Sequence, residues 1–302
     1  MRKKIISILI CPKCGDSLNL REVKRFKDRI QTGDLKCNKC NASFKIINDI
    51  ACFKSISEKG LDKKIKEVRK MFFDQELKKK WLKYFNKKEL IALKKEWKWM
   101  IDELNLKNSK IHLDWASGTG RFLRNILHLI KKEIIILQND YVTCVGLRDF
   151  LKKIKGYSKM TIIYSDARNM PLADDSIDSA SSWHGLDEPK INKALNETKR
   201  VLKKSKVLAV SGLFFEENSK SFKIALKEKI KFAEKDKIHQ YFKKLGFQYI
   251  NYKTFFEGKW TERDSFLPKK GDYYTSYAIA GRKERKKPGL KKARKAPQWK
   301  KR

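Results

Sequence analysis

Between residues 110 and 283, short β-rich runs alternate with segments whose apolar residues recur every three or four positions. The runs IHLDWA, EIIILQ, MTIIYS, DSASSW, VLAVSGLF, FQYINYKTFF and DYYTSYAIAG predict strands. Between the early ones, GRFLRNILHLIKK, VTCVGLRDFLKKI and KINKALNETKRVLKK predict amphipathic helices. Alternation on this scale implies an α/β fold with a mostly parallel sheet covered on both faces. Such sheets bind ligands beyond the carboxyl ends of their strands, where strand order reverses.

Three further regions flank this one. Residues 1–53 hold five of the six cysteines, four of them in two Cys-x-x-Cys pairs, and the opening MRKKIISILI predicts a first strand of a small cysteine module. Residues 54–109 carry helical periodicity through MFFDQELKKKWLKYF and LIALKKEWKWMIDEL, a helical linker or lid. The aromatic spacing at Trp97 and Trp99 reads as core, although such a helix could also close over a ligand. Residues 284–302 form a basic tail too poor in apolar residues to order alone.

Charge changes the picture of partners. The 302 residues carry 73 Lys+Arg against 35 Asp+Glu, a net +38. From Arg282 onward there are twelve basic residues and one acidic one, and the remainder is basic too. A field of this size favours polyanions, RNA or ribonucleoprotein ahead of a membrane surface. Genome composition is the competing explanation for many of the lysines. No apolar run approaches the roughly 18 residues needed to span a bilayer, and IISILI is interrupted by CPKC before a signal-peptide pattern can form. The expected location is cytoplasmic.

The chemistry concentrates in HLDWASGTGRFL, residues 112–123, where a strand ends in Asp and opens into Gly-x-Gly. A phosphate-binding P-loop needs Gly-Lys-Ser/Thr, and the turn continues Gly120-Arg121-Phe122. A dinucleotide fingerprint needs a third glycine where Leu123 stands. S-adenosylmethionine (SAM) has no phosphate; it needs close backbone approach and an acidic group for its hydroxyls or ammonium.

With Asp114, Ala116, Gly118 and Gly120 in the pattern Asp-x-Gly-x-Gly-x-Gly, the chain resembles the class I SAM-dependent methyltransferases, especially those with the ubiquinone-biosynthesis type of domain. Ala116 departs from the family's first glycine. Downstream, Asp140 stands at the end of the second strand, with Asn139 as an alternative, and Ser165-Asp166-Ala167 precedes Met170-Pro171-Leu172 and an acidic turn. The resemblance covers about residues 105–283. It implies a Rossmann-like seven-stranded sheet and a donor site comprising Asp114, Ala116, Ser117, Gly118, Gly120, Asp140, Asp166, Ala167 and Ser182. Asp140 would take the ribose hydroxyls, and Asp166 and Ala167 would meet the adenine ring.

Cys11-x-x-Cys14 and Cys37-x-x-Cys40 have the spacing of a structural zinc site, each knuckle turning two thiolates toward one tetrahedral ion. The segment resembles the zinc ribbons of proteins that activate RNA and translation-factor methyltransferases, and ribbons fused to rRNA guanine methyltransferases. Asn41 replaces the usual glycine after the second knuckle, and Asn also accepts positive φ. Cys52 and Cys144 read as buried small apolar residues.

Methyl transfer from a sulfonium chiefly requires alignment of donor and nucleophile. Trp183 and His184, at the end of the fourth strand, are the substrate-side candidates: one can stack on an acceptor, the other can take a proton. The sequence therefore predicts a zinc ribbon fused to a SAM-dependent methyltransferase, with RNA as the favoured acceptor. A small molecule is the runner-up, followed by a catalytically silent, SAM-binding ribonucleoprotein assembly factor.

Overall fold

The computed structural model describes residues 1–57, 59–74, 83, 85–154, 157–234, 237–261 and 267–284. The basic tail beyond Glu284 and much of MFFDQELKKKWLKYF therefore lie outside the described residues. All seven strands expected from the alternating pattern form: β5 (Ile111–Trp115), β6 (Glu133–Gln138), β7 (Met160–Tyr164), β8 (Ile177–Ser182), β9 (Leu202–Phe215), β10 (Phe247–Lys259) and β11 (Tyr273–Lys283). Strands β5 to β8 are almost wholly buried, as sheets with two covered faces require.

Four earlier strands, β1 (Leu18–Phe26), β2 (Arg29–Cys37), β3 (Ser43–Ile47) and β4 (Ile50–Cys52), come from the cysteine module. They join the same sheet, whose order is β1-β2-β3-β4-β7-β6-β5-β8-β9-β11-β10. Strand β4 runs parallel to β7, with Cys52 opposite Tyr164. From β4 to β9 every pairing is parallel; β11 lies antiparallel between β9 and β10. The sheet is thus mixed, with its order reversing between β5 and β8.

The helices are α1 (Leu61–Phe73), α2 (Lys87–Leu104), α3 (Arg121–Ile126), α4 (Tyr141–Lys152), α5 (Ile191–Val201), α6 (Lys220–Lys227) and α7 (Lys237–Lys244). A capping box starts α2: the Asn86 side chain accepts from Glu89 N, and Glu89 Oε2 accepts from Asn86 N. Trp97 and Trp99 pack on core from this helix, Trp97 edge-on to Trp183 and Trp99 edge-on to Phe255.

Three local expectations change. Residues 3–8 form a 3-10 helix rather than a first strand. The buried Met1 amine donates to Ile30 O and Asp49 O, and Ile5 and Leu9 turn inward together, so tertiary anchoring outweighs β propensity. Helix α3 ends well before the apolar pattern does. Beyond Ile126 the chain must turn to start β6, and Lys159 Nζ reaches the freed carbonyls of Leu127 and Ile130. Helix α5 stops at Val201 because Leu202 already pairs with Ile177 of β8. Among the described residues, no helix is long and apolar enough to cross a membrane.

Candidate active site

The turn after β5 opens at the point where strand order reverses. It needs positive φ three times, at Ala116 (53°), Gly118 (51°) and Gly120 (70°). A Cβ on Gly120 would stand 2.9 Å from Leu147 Cδ1, so a side chain there must displace that leucine's end as well as bear the positive φ. A Cβ on Gly118 would meet no protein atom within 4 Å. That glycine faces a cavity of about 430 Å³.

Five predicted donor-site residues line this cavity together: Ala116, Gly118, Asp140, Asp166 and Ala167. The other four stand behind its wall. Gly120 serves the helix packing. Ser182 is fully buried and donates to Trp115 O at 2.7 Å. Ser117 donates to the Asp114 carboxylate, and Asp114 itself is buried beneath the turn. Each shapes the turn from below rather than facing the open space.

Asp114 ends a buried hydrogen-bond chain whose direction can be derived. Ser181 Oγ donates to Asp114 Oδ1 at 2.5 Å, so it must accept from His112 Nε2, 3.0 Å away. His112 Nε2 therefore carries the proton, and Nδ1 accepts from Ser179 Oγ at 2.8 Å. Ser109 Oγ donates to Ser179 at 2.7 Å. Burial keeps His112 neutral, lowering its pKa to about 3. Burial also raises Asp114 to about 6, against the pull of the Ser117 and Ser181 hydrogen bonds.

The cavity walls carry acids already engaged. Asp140 caps α4, accepting from Thr143 N at 2.7 Å and Thr143 Oγ1 at 2.5 Å. Asp166 holds Arg168 through both carboxylate oxygens. Burial acts to raise its pKa, but the Arg168 bonds and charge prevail and hold it below the ordinary value. That pair is partly exposed, so a ligand can open it at small cost, of order 1 kcal/mol or less. Gln138, Arg168 and Glu188 also line the cavity and were missed from the sequence. Gln138 Nε2 donates to Gly118 O at 3.0 Å, a role that only the pairing of β5 with β6 reveals.

A second cavity, of about 600 Å³, adjoins the first through Glu188 and Pro189. Trp183 and His184 both line it, together with Phe85, Leu93, Phe256, Trp260 and Tyr274. His184 sits at φ 59°, and its Nδ1 lies 2.9 Å from Asp187 Oδ2. Donation from Nδ1 to that carboxylate leaves the lone pair of the neutral ring on Nε2. Burial works to lower the His184 pKa, but the Asp187 bond and charge, with Glu96 beyond, hold it above the ordinary value. Glu96 is buried, accepts from Trp183 Nε1 at 2.9 Å, and is pushed up by burial. Neither Glu96 nor Asp187 could be found by spacing: Glu96 lies 88 positions before His184, on a helix that reads as linker.

The four knuckle cysteines converge, all sulfurs within 4.8 Å of one another. Cys11 and Cys40 are 3.5 Å apart, and Cys14 and Cys37 are 3.4 Å apart. Zn–S bonds of about 2.3 Å in a tetrahedron require sulfurs about 3.8 Å apart, so the set fits one zinc ion. Asn41 takes φ 57°, the conformation its position demands. The module, and Lys54 just after it, bond to segments beside the smaller cavity. Asn169 Nδ2 donates to Pro12 O at 3.0 Å, Ile10 N donates to Pro171 O at 3.2 Å, and Lys54 Nζ donates to Asn139 O at 3.0 Å. Cys52 and Cys144 are buried thiols, Cys52 pushed up to about 12 by burial.

Comparison with known proteins agrees with this geometry. Residues 113–205 match the family model described as a methyltransferase domain. No curated protein matches the sequence. Among solved structures, a Bacillus halodurans C-125 protein described as a candidate methyltransferase is 15% identical. The alignment covers 63% of this chain and 100% of that one, with a TM-score of 0.52. The [4+2]-cyclase SpnF is 16% identical over 65% of this chain and 82% of its own, with a TM-score of 0.52. Geranyl diphosphate C-methyltransferase from Streptomyces coelicolor A3(2) is 9% identical over 65% and 79%, with a TM-score of 0.50. At such identities the likeness is one of fold. Together with the match of residues 113–205 to the methyltransferase-domain model, from β5 into the start of β9, it shows a methyltransferase-type α/β fold, extended at one sheet edge by a four-cysteine module.

Proposed function

We propose that the protein transfers a methyl group from SAM to an acceptor held in the larger cavity, with zinc as a structural ion in the cysteine module. The observation that carries this reading is the junction of the two cavities at Glu188 and Pro189, with His184 on the acceptor side. SAM supplies an electrophilic methyl on a sulfonium with a good leaving group. The chain's part is to align the acceptor and take its proton. Trp183, fixed by its bond to Glu96, offers a flat wall for the acceptor. His184, oriented by Asp187, offers Nε2 as the base. The acceptor wall is mostly aromatic and aliphatic, which supports a small molecule with an apolar body.

A second reading, RNA as acceptor, is favoured by the net charge of +38. Incubation with methyl-tritiated SAM and a cell extract separates the two. Label in the organic fraction, reduced at least about tenfold by His184→Gln, supports the small-molecule reading. Label in RNA supports the second. Absence of label from every fraction would overturn both.

A further inference from the structure

The acceptor cavity is acidic in a strongly basic molecule. Among the described residues its wall carries Glu89, Glu96, Asp187 and Glu188 against one guanidinium, Arg121, and the imidazole of His184. Glu89 and Glu96 lie seven residues apart on the inner face of α2, 5% and 1% exposed. Tyr274 and the Asn86 backbone bond to Glu89, and Trp183 bonds to Glu96, with Ser211 adding a further hydrogen bond. Glu96 has His184 beside it, a titrating partner rather than a permanent cation, so a bound ammonium adds compensation to a carboxylate whose charge burial disfavours. The rings of Trp183, Trp260, Phe85 and Phe256 surround the same space. Aromatic faces attract organic cations, and more strongly where water is excluded.

We infer that the larger cavity selects an organic amine: a cationic nitrogen beside Glu96 and Glu89, carried on an apolar body that packs against the aromatic wall. Polyanions and carboxylates are disfavoured by the same four acids. That this amine is also the methyl acceptor rests on the methyltransferase reading above; the cavity's preference does not. In the transfer, the amine gives one proton to His184 Nε2 and its lone pair forms the N–C bond. The C–S bond breaks as its electron pair returns to sulfur, leaving a neutral thioether.

The test is a tryptophan-fluorescence titration of the full chain with 2-phenylethylamine, 2-phenylethanol and 3-phenylpropionate, which share a ring and differ in charge. The amine is expected to bind about tenfold more tightly than the alcohol, with the carboxylate weakest. Glu96→Gln should lower amine affinity about tenfold and leave the alcohol unchanged. Glu188→Gln, at the exposed rim, should act in the same direction more weakly and spares the core should Glu96→Gln misfold. An alcohol or carboxylate that binds as well as the amine overturns the inference, as does a Glu96→Gln protein that loses all three probes equally. Calorimetric titration with SAM runs alongside. A chain that prefers the amine but binds no SAM keeps the cavity assignment and defeats the methyltransferase reading.

Discussion

The cavities proposed for donor and acceptor share Glu188 and Pro189 but are built differently. The donor cavity comes mainly from the ends of consecutive parallel strands: the turn after β5, Gln138 to Asp140 at the end of β6, and Asp166 to Arg168 after β7. The acceptor cavity gathers residues from α2, the loop after β8, β9, β10 and β11, separated by up to 191 positions between Phe85 and Ser276. One is a local product of backbone geometry, the other of long-range packing. Backbone geometry constrains residue type tightly, so the donor side is written as a motif. A packed wall accepts many side chains of similar volume, so it leaves no pattern to read.

The largest test of this contrast is metal removal. Because the cysteine module bonds to Asn169 and Pro171, and Lys54 just after it bonds to Asn139, its loss should damage the smaller cavity and spare the larger one. Chelation, or Cys37→Ser, is expected to weaken SAM binding by more than about tenfold while amine binding survives, read by calorimetry and fluorescence. Equal loss at both cavities would show that the two are not separable.

Next in size, His184→Gln should reduce the transfer rate by about 10² or more with little change in SAM affinity. Asp187→Asn should act on the same group through its pKa. Asp187 raises the pKa of His184, so the rate climbs with pH only as that raised value is passed. Without the carboxylate, the acidic limb of the rate profile should move to lower pH. A limb that stays in place would remove His184 as the base.

Asp114 gives an intermediate effect confined to the donor side. Its folded pKa of about 6 exceeds the ordinary 3.8, so between those values the folded chain keeps a proton that the unfolded chain has released. Stability should therefore fall as pH rises through that window and level off above it, by ~3 kcal/mol for a shift of this size. Asp114→Asn should reduce the slope in thermal melts recorded from pH 4 to 7, leaving the smaller part due to other raised acids such as Glu96. A slope left unchanged would place its origin elsewhere.

The smallest effect is at Ala116, which holds φ 53° where the family pattern has glycine. Relief of left-handed strain, offset by glycine's greater unfolded-state freedom, should make Ala116→Gly more stable by about 1 kcal/mol or less in urea titration. Destabilisation would mean that the Ala116 methyl makes contacts worth more than the strain.

Against this background, what the sequence determined by itself is the periodic part. Alternating strand and helix patterns, the Gly118 and Gly120 turn, and the two Cys-x-x-Cys knuckles all follow from local rules: pleat and helix periods, positive φ and thiolate spacing. They located the seven strands and the four convergent sulfurs, and the family resemblance added Asp140, Asp166 and Ala167 to the cavity residues of the turn. Tertiary structure decided the rest. It placed the cysteine module in register with β7, turned Lys3–Ile8 into a 3-10 helix around the buried Met1 amine, and put Asp114 below the turn rather than in the cavity. It also brought Glu96 of α2 to Trp183 and close enough to His184 to act on its charge, with Asp187 bonded to the ring's Nδ1. Those outcomes depend on which surfaces meet, and contact between residues far apart in sequence leaves no period for a local reading to find.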